Sequence, residues 1–158
     1  MHIRLALAAL LAASVPSVAY AQREEAVDEA DEGSHHLSVI SGLTYVEEAD
    51  ETAYTLGIDY ENRVSELLGV GFVAERAYGD VDATTLLAVA DFLLTEGLAM
   101  QVGPGIEFAE GEEFAVGRFG VLFDFELGGG FTISPQAHFD LSELEDAFVF
   151  VIGMGRAF

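Results

Sequence analysis

The chain contains no cysteine and no lysine among its 158 residues. Without cysteine, neither a disulfide framework nor a thiolate metal site can form, so the usual staples of small exported domains are missing. Without lysine, all positive charge rests on six arginines against 28 acids, and the formal net charge is −22. That balance repels nucleic acid phosphates and leaves no basic patch, which removes nucleic acid as a partner. Long apolar runs are scarce as well: beyond the N-terminal segment no window of about 18 apolar residues occurs, which excludes a spanning helix. Hydrophobic residues nevertheless make up 51% of the chain. So much apolar side chain beside so much negative charge points to an apolar solvent outside the chain.

The N-terminal segment, MHIRLALAALLAASVPSVAYAQ, has Arg4, an apolar core from Leu5 to Ala13, and Val18-Ala19-Tyr20-Ala21 as a small-x-small processing site. Residues 1–21 read as a secretory signal peptide, with a mature chain starting near Gln22. Its removal takes away Arg4 and no acid, moving the charge to −23. Residues 22–34, QREEAVDEADEGS, offer only Val27 as a large aliphatic side chain. They cannot bury enough surface to order themselves and read as a solvated acidic leader, disordered by composition.

From residue 35 to 158 the period changes to two. Eight segments alternate apolar and polar: His35 to Val46, Thr52 to Glu61, Leu67 to Ala77, Thr84 to Thr95, Leu98 to Ala109, Phe114 to Leu127, Phe131 to Ser142 and Ala147 to Phe158. Such alternation over about ten residues, broken by turn or charge clusters, is the signature of strands. The short connections make sequential neighbours antiparallel.

Sorting by parity gives two unlike faces. One is bulky and apolar, with Leu37, Val39, Leu56, Ile58, Phe119, Val121, Phe150 and Ile152 among its members. The other mixes glycines such as Gly42, Gly69, Gly120 and Gly155 with a charge cluster of Asp59, Glu61, Glu75, Asp91, Glu107, Arg118, Asp124, Glu126, His138 and Asp140. In the fourth segment Leu87, Val89 and Leu93 share a face with Asp91, and only that aspartate orients it. An eight-stranded barrel has an interior just wide enough for side chains to fill. The more than twenty large residues of the first face cannot fit there, whereas glycines leave room for charged side chains. The bulky face therefore points outward, where only lipid can solvate it. The fold expected is all-β: an eight-stranded antiparallel up-and-down transmembrane β-barrel.

Aromatic residues gather near the strand ends. With a periplasmic N-terminus, Tyr45, Tyr54, Tyr78, Phe108, Phe139 and Phe148 fall near the outer ends, and Tyr60, Phe92, Phe125, Phe131 and Phe158 near the periplasmic ends, as two interfacial girdles. Acidic connections (EEADE, GDVD, EGEE and ELED) lie at one end and NRVSE, EG and LGGG at the other.

These features, with a last strand DAFVFVIGMGRAF that ends on Phe158, make the chain resemble the small outer-membrane β-barrel family that includes the OmpA-like transmembrane domain. The resemblance spans residues 35–158. It implies a Gram-negative outer-membrane location, contact with outer-membrane lipid and lipopolysaccharide, and insertion by the barrel-assembly machinery, for which Phe158 is the insertion signal. It implies no cofactor. Arg156 departs from the apolar side chain usual there, and close to the interface it can snorkel to head groups. Pro104 and Pro135 fall inside strands, where each removes a ladder bond, and are assigned to bulges. No peptidoglycan-binding domain follows, so the anchoring role of larger members is not expected.

Three functions suit such a barrel. The first is a non-enzymatic structural or surface-interaction role with a lumen closed by side chains. Arg118 alone cannot pair its many carboxylates, so some must be protonated, hydrated or neutralised by cations. The second is a narrow, porin-like cation-selective pore, since an acidic lumen concentrates cations. The third is a lipid A-modifying hydrolase built on His138, Asp140 and Ser142. Residues two apart on a strand are separated by about 6.6 to 6.8 Å, whereas triad members must lie within about 2.6 to 3.2 Å, so no catalytic residue is assigned. A metal site is not expected either: His35 and His36 point to opposite faces, and His36 and His138 lie toward opposite rims. Nothing in the sequence fixes the oligomeric state.

Overall fold

The computed structural model describes residues 34–158 apart from residue 80; the signal segment and the leader up to residue 33 lie outside the described residues. Nine strands follow one another: β1 (His35–Val46), β2 (Glu51–Ser65), β3 (Leu68–Tyr78), β4 (Ala83–Leu93), β5 (Leu98–Ala109), β6 (Glu112–Phe123), β7 (Phe125–Gly128), β8 (Phe131–Ser142) and β9 (Ala147–Ala157). Each pairs antiparallel with its chain neighbour, β6 pairs with β8, and β1 pairs with β9. Because β6 and β7 both run along β8, they are two parts of one stave. The result is a closed barrel of eight staves. Closure satisfies the backbone without leaving an edge, the condition a sheet must meet in hydrocarbon.

Three of the expected segments, His35–Val46, Leu98–Ala109 and Phe131–Ser142, coincide with strands to the residue. The prolines do not sit at bulges. Pro104 keeps its register with Gly117 on β6, while on its other side the ladder skips the positions between Leu87↔Gly105 and Ala90↔Val102. Pro135 keeps its register with Ile152, and opposite it the pairing with β6 stops after Leu122↔Gln136 and resumes at Phe125↔Ile133. A proline has no N–H to donate, so each opens one side of the ladder without shifting it. The gap beside Pro135 is what divides β6 from β7. Register shifts occur instead at Arg63/Ser65 and Glu126/Gly128, both near the rim that carries the chain ends.

Alternation of exposure follows the parity read from the sequence. On β9, Phe148, Phe150, Ile152 and Met154 are exposed, while Ala147, Val149, Val151, Gly153 and Gly155 are buried between them. On β4, Leu87, Val89 and Asp91 all face inward, as Asp91 alone had suggested. The barrel has a real apolar core: Ile40, Val73, Leu87, Val89, Val116, Val149 and Val151 form one buried cluster. That layer was not expected from a face described as glycine and charge. On these strands both faces are apolar, so alternation gives no contrast there.

Connections at one rim span residues 47–50, 79–82, 110–111 and 143–146; those at the other span 66–67, 94–97 and 129–130. Glu110 and Gly111 both have positive φ, as do Gly129 and Gly130. This is the geometry of two-residue primed turns, whose twist matches that of the flanking strands. At the second rim the first and last staves meet end to end, which makes it the chain-end rim of the described barrel, with the His35 N–H donating to the Phe158 carbonyl (3.2 Å) and the Phe158 N–H to the His35 carbonyl (2.9 Å).

Candidate functional site: the barrel lumen

At mid-depth, Arg118 of β6 is held by two carboxylates from different staves. Its Nε donates to Asp140 Oδ1 at 2.7 Å and its Nη2 to Asp140 Oδ2 at 2.6 Å. Its Nη1 donates to Glu75 Oε2 at 3.1 Å, and its Nη2 also reaches Glu75 Oε1. Both contacts are bidentate, and the three side chains are almost wholly buried. Asp140 is Arg118's register partner on β8, whereas Glu75 projects from β3, with β4 and β5 between. The guanidinium fork suits this task, because its planar donors match two carboxylates at once.

The three residues of the hydrolytic pattern go to three different partners. Asp140 binds Arg118. His138 Nε2 pairs with Gln136 Oε1 at 3.0 Å, and Ser142 Oγ donates to Glu107 Oε1 at 3.1 Å. No nucleophile–base contact forms among them. Space for the buried His138 ring comes from Gly120, its register partner on β6; a Cβ at Gly120 would meet both that ring and the Ala137 carbonyl. Gly69 stands in the same relation to the Glu61 side chain. Glycine on the inner face thus makes room for polar groups, as the size argument required.

Below this layer lie Asp59, Asp91 and Gln101, all buried. Asp124 accepts a hydrogen bond from Ser134 at the break between β6 and β7. Glu61 pairs with Arg63 at 3.3 Å. Glu126 stands at the outermost point of the lumen cluster, exposed at the rim and lining the cavity there. It keeps the register of its stave opposite Thr132, and the shift to Gly128 follows it. Glu61, Asp124 and Glu126 line a cavity of about 830 Å³ that opens at the rim carrying the chain ends. Toward the opposite rim lies a space of about 50 Å³, lined by Glu75, Glu107, Asp140, Val149 and the loop residues Leu144 and Glu145. That loop is tied down: Glu143 N–H donates to the Ala115 carbonyl at 3.0 Å, and the Leu144 N–H to Ser142 Oγ at 3.2 Å.

The histidines do not converge. His35 Nδ1 contacts the Tyr60 hydroxyl at 2.8 Å, His36 Nε2 contacts Thr132 Oγ1 at 2.7 Å, and His138 is engaged by Gln136. Among the described residues no group of three His, Asp or Glu side chains is arranged to hold a metal ion. Sequence reasoning overlooked the aliphatic layer, the Thr44–Thr55 hydroxyl pair at 2.6 Å and the Leu144 loop. The signal for the last was present in the brevity of ELED, which keeps Leu144 over the mouth.

The aromatic girdles take the expected positions. Tyr54 and Tyr78 are register partners with rings 6.5 Å apart, as are Phe139 and Phe148 at 4.7 Å, all toward the acidic rim. Toward the other rim the rings of Tyr60 and Phe72 lie 5.4 Å apart, and Phe158 stacks on His35 at 5.8 Å. Arg156 is exposed on the outer face with its guanidinium 5.2 Å over the Phe131 ring.

No protein-family model matches the chain, and no curated protein does. Solved structures do. The N-terminal β-barrel domain of Pseudomonas aeruginosa OprF aligns with TM-score 0.60 and 11% identity over 80% of this chain and 98% of that one. Ail, the attachment invasion locus protein of Yersinia pestis, aligns with TM-score 0.51 and 14% identity over 80% and 99%. A chain from the de novo design of transmembrane β-barrels gives 0.52 and 12% over 82% and 98%. The chain has the fold of the small outer-membrane β-barrels. At these identities the likeness is one of fold, and the lumen of this barrel has to be read from its own residues.

Proposed function

We propose that this chain is a small integral outer-membrane barrel, exported through a cleaved signal, that turns over no substrate and has a structural or surface-interaction role behind a sealed lumen. One observation supports this above the rest. The outer face is a belt of exposed aliphatic and aromatic side chains, while the inner face holds a buried ion triad beside an aliphatic cluster. Such a surface is stable only against lipid, and such an interior leaves no room for an aqueous channel. Outer-membrane lipid and lipopolysaccharide are then its immediate partners, the barrel-assembly machinery inserts it through the strand that ends on Phe158, and the acidic loops face outward.

The pore reading draws on the acidic 830 Å³ cavity, which would concentrate cations at one mouth. It needs a path past Arg118 and the valine layer. Fractionation of expressing cells with heat-modifiability gels, followed by planar-bilayer recording, tests the proposal. Heat-modifiable protein in the outer-membrane fraction without unitary currents is expected. Soluble protein would overturn the membrane reading, and reproducible cation currents would replace the sealed barrel with the pore.

A further inference from the structure

We propose that residues 143–146 form a lid over the lumen at the acidic rim, latched through the Ser142 hydroxyl, and that this lid keeps bulk water off the carboxylates around Arg118. The two rims end differently. At the chain-end rim the lumen opens as a cavity of about 830 Å³. At the acidic rim a space of about 50 Å³ lies under Leu144 and Glu145, with Glu75, Glu107 and Asp140 in its wall. Two of those carboxylates, Glu75 and Asp140, hold Arg118. The lid is a second closure, above the one at Arg118.

The turn leaves the wall at a defined point. The ladder between β6 and β8 ends at Val116↔Ser142. The next pair keeps half of its bonding, with the Glu143 N–H donating to the Ala115 carbonyl at 3.0 Å. In a hydrogen-bonded antiparallel pair the returning bond would run from the Ala115 N–H to the Glu143 carbonyl. Here the Ala115 N–H donates instead to Glu143 Oε2 at 3.1 Å. A side-chain carboxylate stands in for the backbone, so the strand end stays tied to β6 while the main chain is released to turn across the mouth.

Further contacts fix the turn there. Ser142 Oγ accepts from the Leu144 N–H at 3.2 Å and donates to Glu107 Oε1 at 3.1 Å. One hydroxyl, using its proton and a lone pair together, thus holds the turn to a lumen carboxylate on β5. Asp146 Oδ1 accepts from the Ser142 N–H at 3.3 Å, and the Asp146 carbonyl accepts from the Glu47 N–H at 3.1 Å, which ties the far end of the turn to the connection after β1. Leu144 lines the space under the turn together with Val46, Val81 and Val149, so apolar side chains stand between the carboxylates and the outside. Ion pairs kept from bulk solvent are screened far less by salt than exposed ones, which is what such a cover provides for Arg118 and its partners.

The test uses the full mature chain folded in detergent micelles, carrying Thr85→Cys as its single cysteine and labelled with a water-soluble trimethylammonium methanethiosulfonate. Thr85 is buried, lines the space under the turn and is the register partner of Glu107. With the lid intact, labelling is expected to be slow against the exposed reference Glu113→Cys. Adding Ser142→Ala or Leu144→Gly should speed it about tenfold, the order of change that losing a hydrogen bond or an apolar contact brings to a locally opening segment. Ser142→Thr, which keeps the hydroxyl, should label as slowly as the unmutated lid. Heat-modifiable migration reports folding of each variant; if Ser142→Ala fails to fold, Leu144→Gly decides. Labelling at the reference rate with the lid intact would overturn the proposal. So would unchanged rates in the folded lid variants, or fast labelling with Ser142→Thr. Planar-bilayer current reports the closure at Arg118 and labelling at position 85 reports the lid, so failure of either is read apart from the other.

Discussion

Arg118 and Glu75 sit on β6 and β3, strands that share no ladder, yet the guanidinium reaches the carboxylate through both terminal nitrogens inside the barrel. With Asp140 on the neighbouring stave, the pair ties together parts of the wall that share no ladder, with β4 and β5 between them on one side of the closed barrel and β8, β9, β1 and β2 on the other. Every member is buried, so removing one leaves charge stranded rather than merely losing a contact.

Arg118→Ala is therefore expected to destabilise the barrel by about 3–5 kcal/mol, the usual cost of breaking a buried pair from one side. Urea unfolding in phospholipid vesicles measures it. The triple variant Arg118→Met/Glu75→Gln/Asp140→Asn should recover most of that loss, because no unpaired charge remains. A triple variant as unstable as the single one would show that the cluster acts by packing alone.

Gly120→Ala should cost about 1–3 kcal/mol, the range for overfilling a packed interior, since the added Cβ runs into the buried His138 ring and the Ala137 carbonyl. His138→Ala should relieve part of it. A double-mutant cycle on the unfolding midpoints is expected to give a coupling of about 0.5 kcal/mol or more, and strict additivity would contradict the contact.

Phe119 is exposed near the middle of β6, and Phe158 lies at the chain-end rim. Arginine at a bilayer midplane costs about 2–4 kcal/mol, and near an interface about 0–1. Phe119→Arg should thus lower stability in vesicles several-fold more than Phe158→Arg does. Equal costs would deny the depth assignment.

Ser142→Ala is expected to leave lipid A acyl release at the level of protein-free vesicles, as for the unmutated chain, because Ser142 is committed to Glu107 and His138 to Gln136. Release by the wild-type chain that Ser142→Ala abolishes would restore the hydrolase.

Much of the fold could be read from alternation, and the reasons are local. Where outward residues are large and inward ones are glycine or charged, as with Phe119 and Val121 against Arg118 and Gly120, parity fixes the facing outright. Ile40, Val73, Val116, Val149 and Val151 escaped notice because their strands are apolar on both sides, and only the closed geometry makes one side an interior. The candidate site was half legible. Sequence supplied an excess of carboxylates around one lumen arginine, but Glu75 and Asp140 lie 43 and 22 residues from Arg118, and their meeting depends on the register of several ladders. Asp124 and Glu126 keep their facing across the break opposite Pro135, because the register with β8 is the same on both sides of it.

The inside-out arrangement is the claim on which the rest depends, and the absence of cysteine makes it directly measurable. Single cysteines introduced at positions 118–123 along β6, spin-labelled and studied by electron paramagnetic resonance in vesicles, report access to oxygen dissolved in lipid against access to a water-soluble nickel chelate. The labels at 119, 121 and 123 are predicted to be the oxygen-accessible ones, with those at 118, 120 and 122 shielded from it. Reversed parity, or nickel access along the odd positions, would contradict the account.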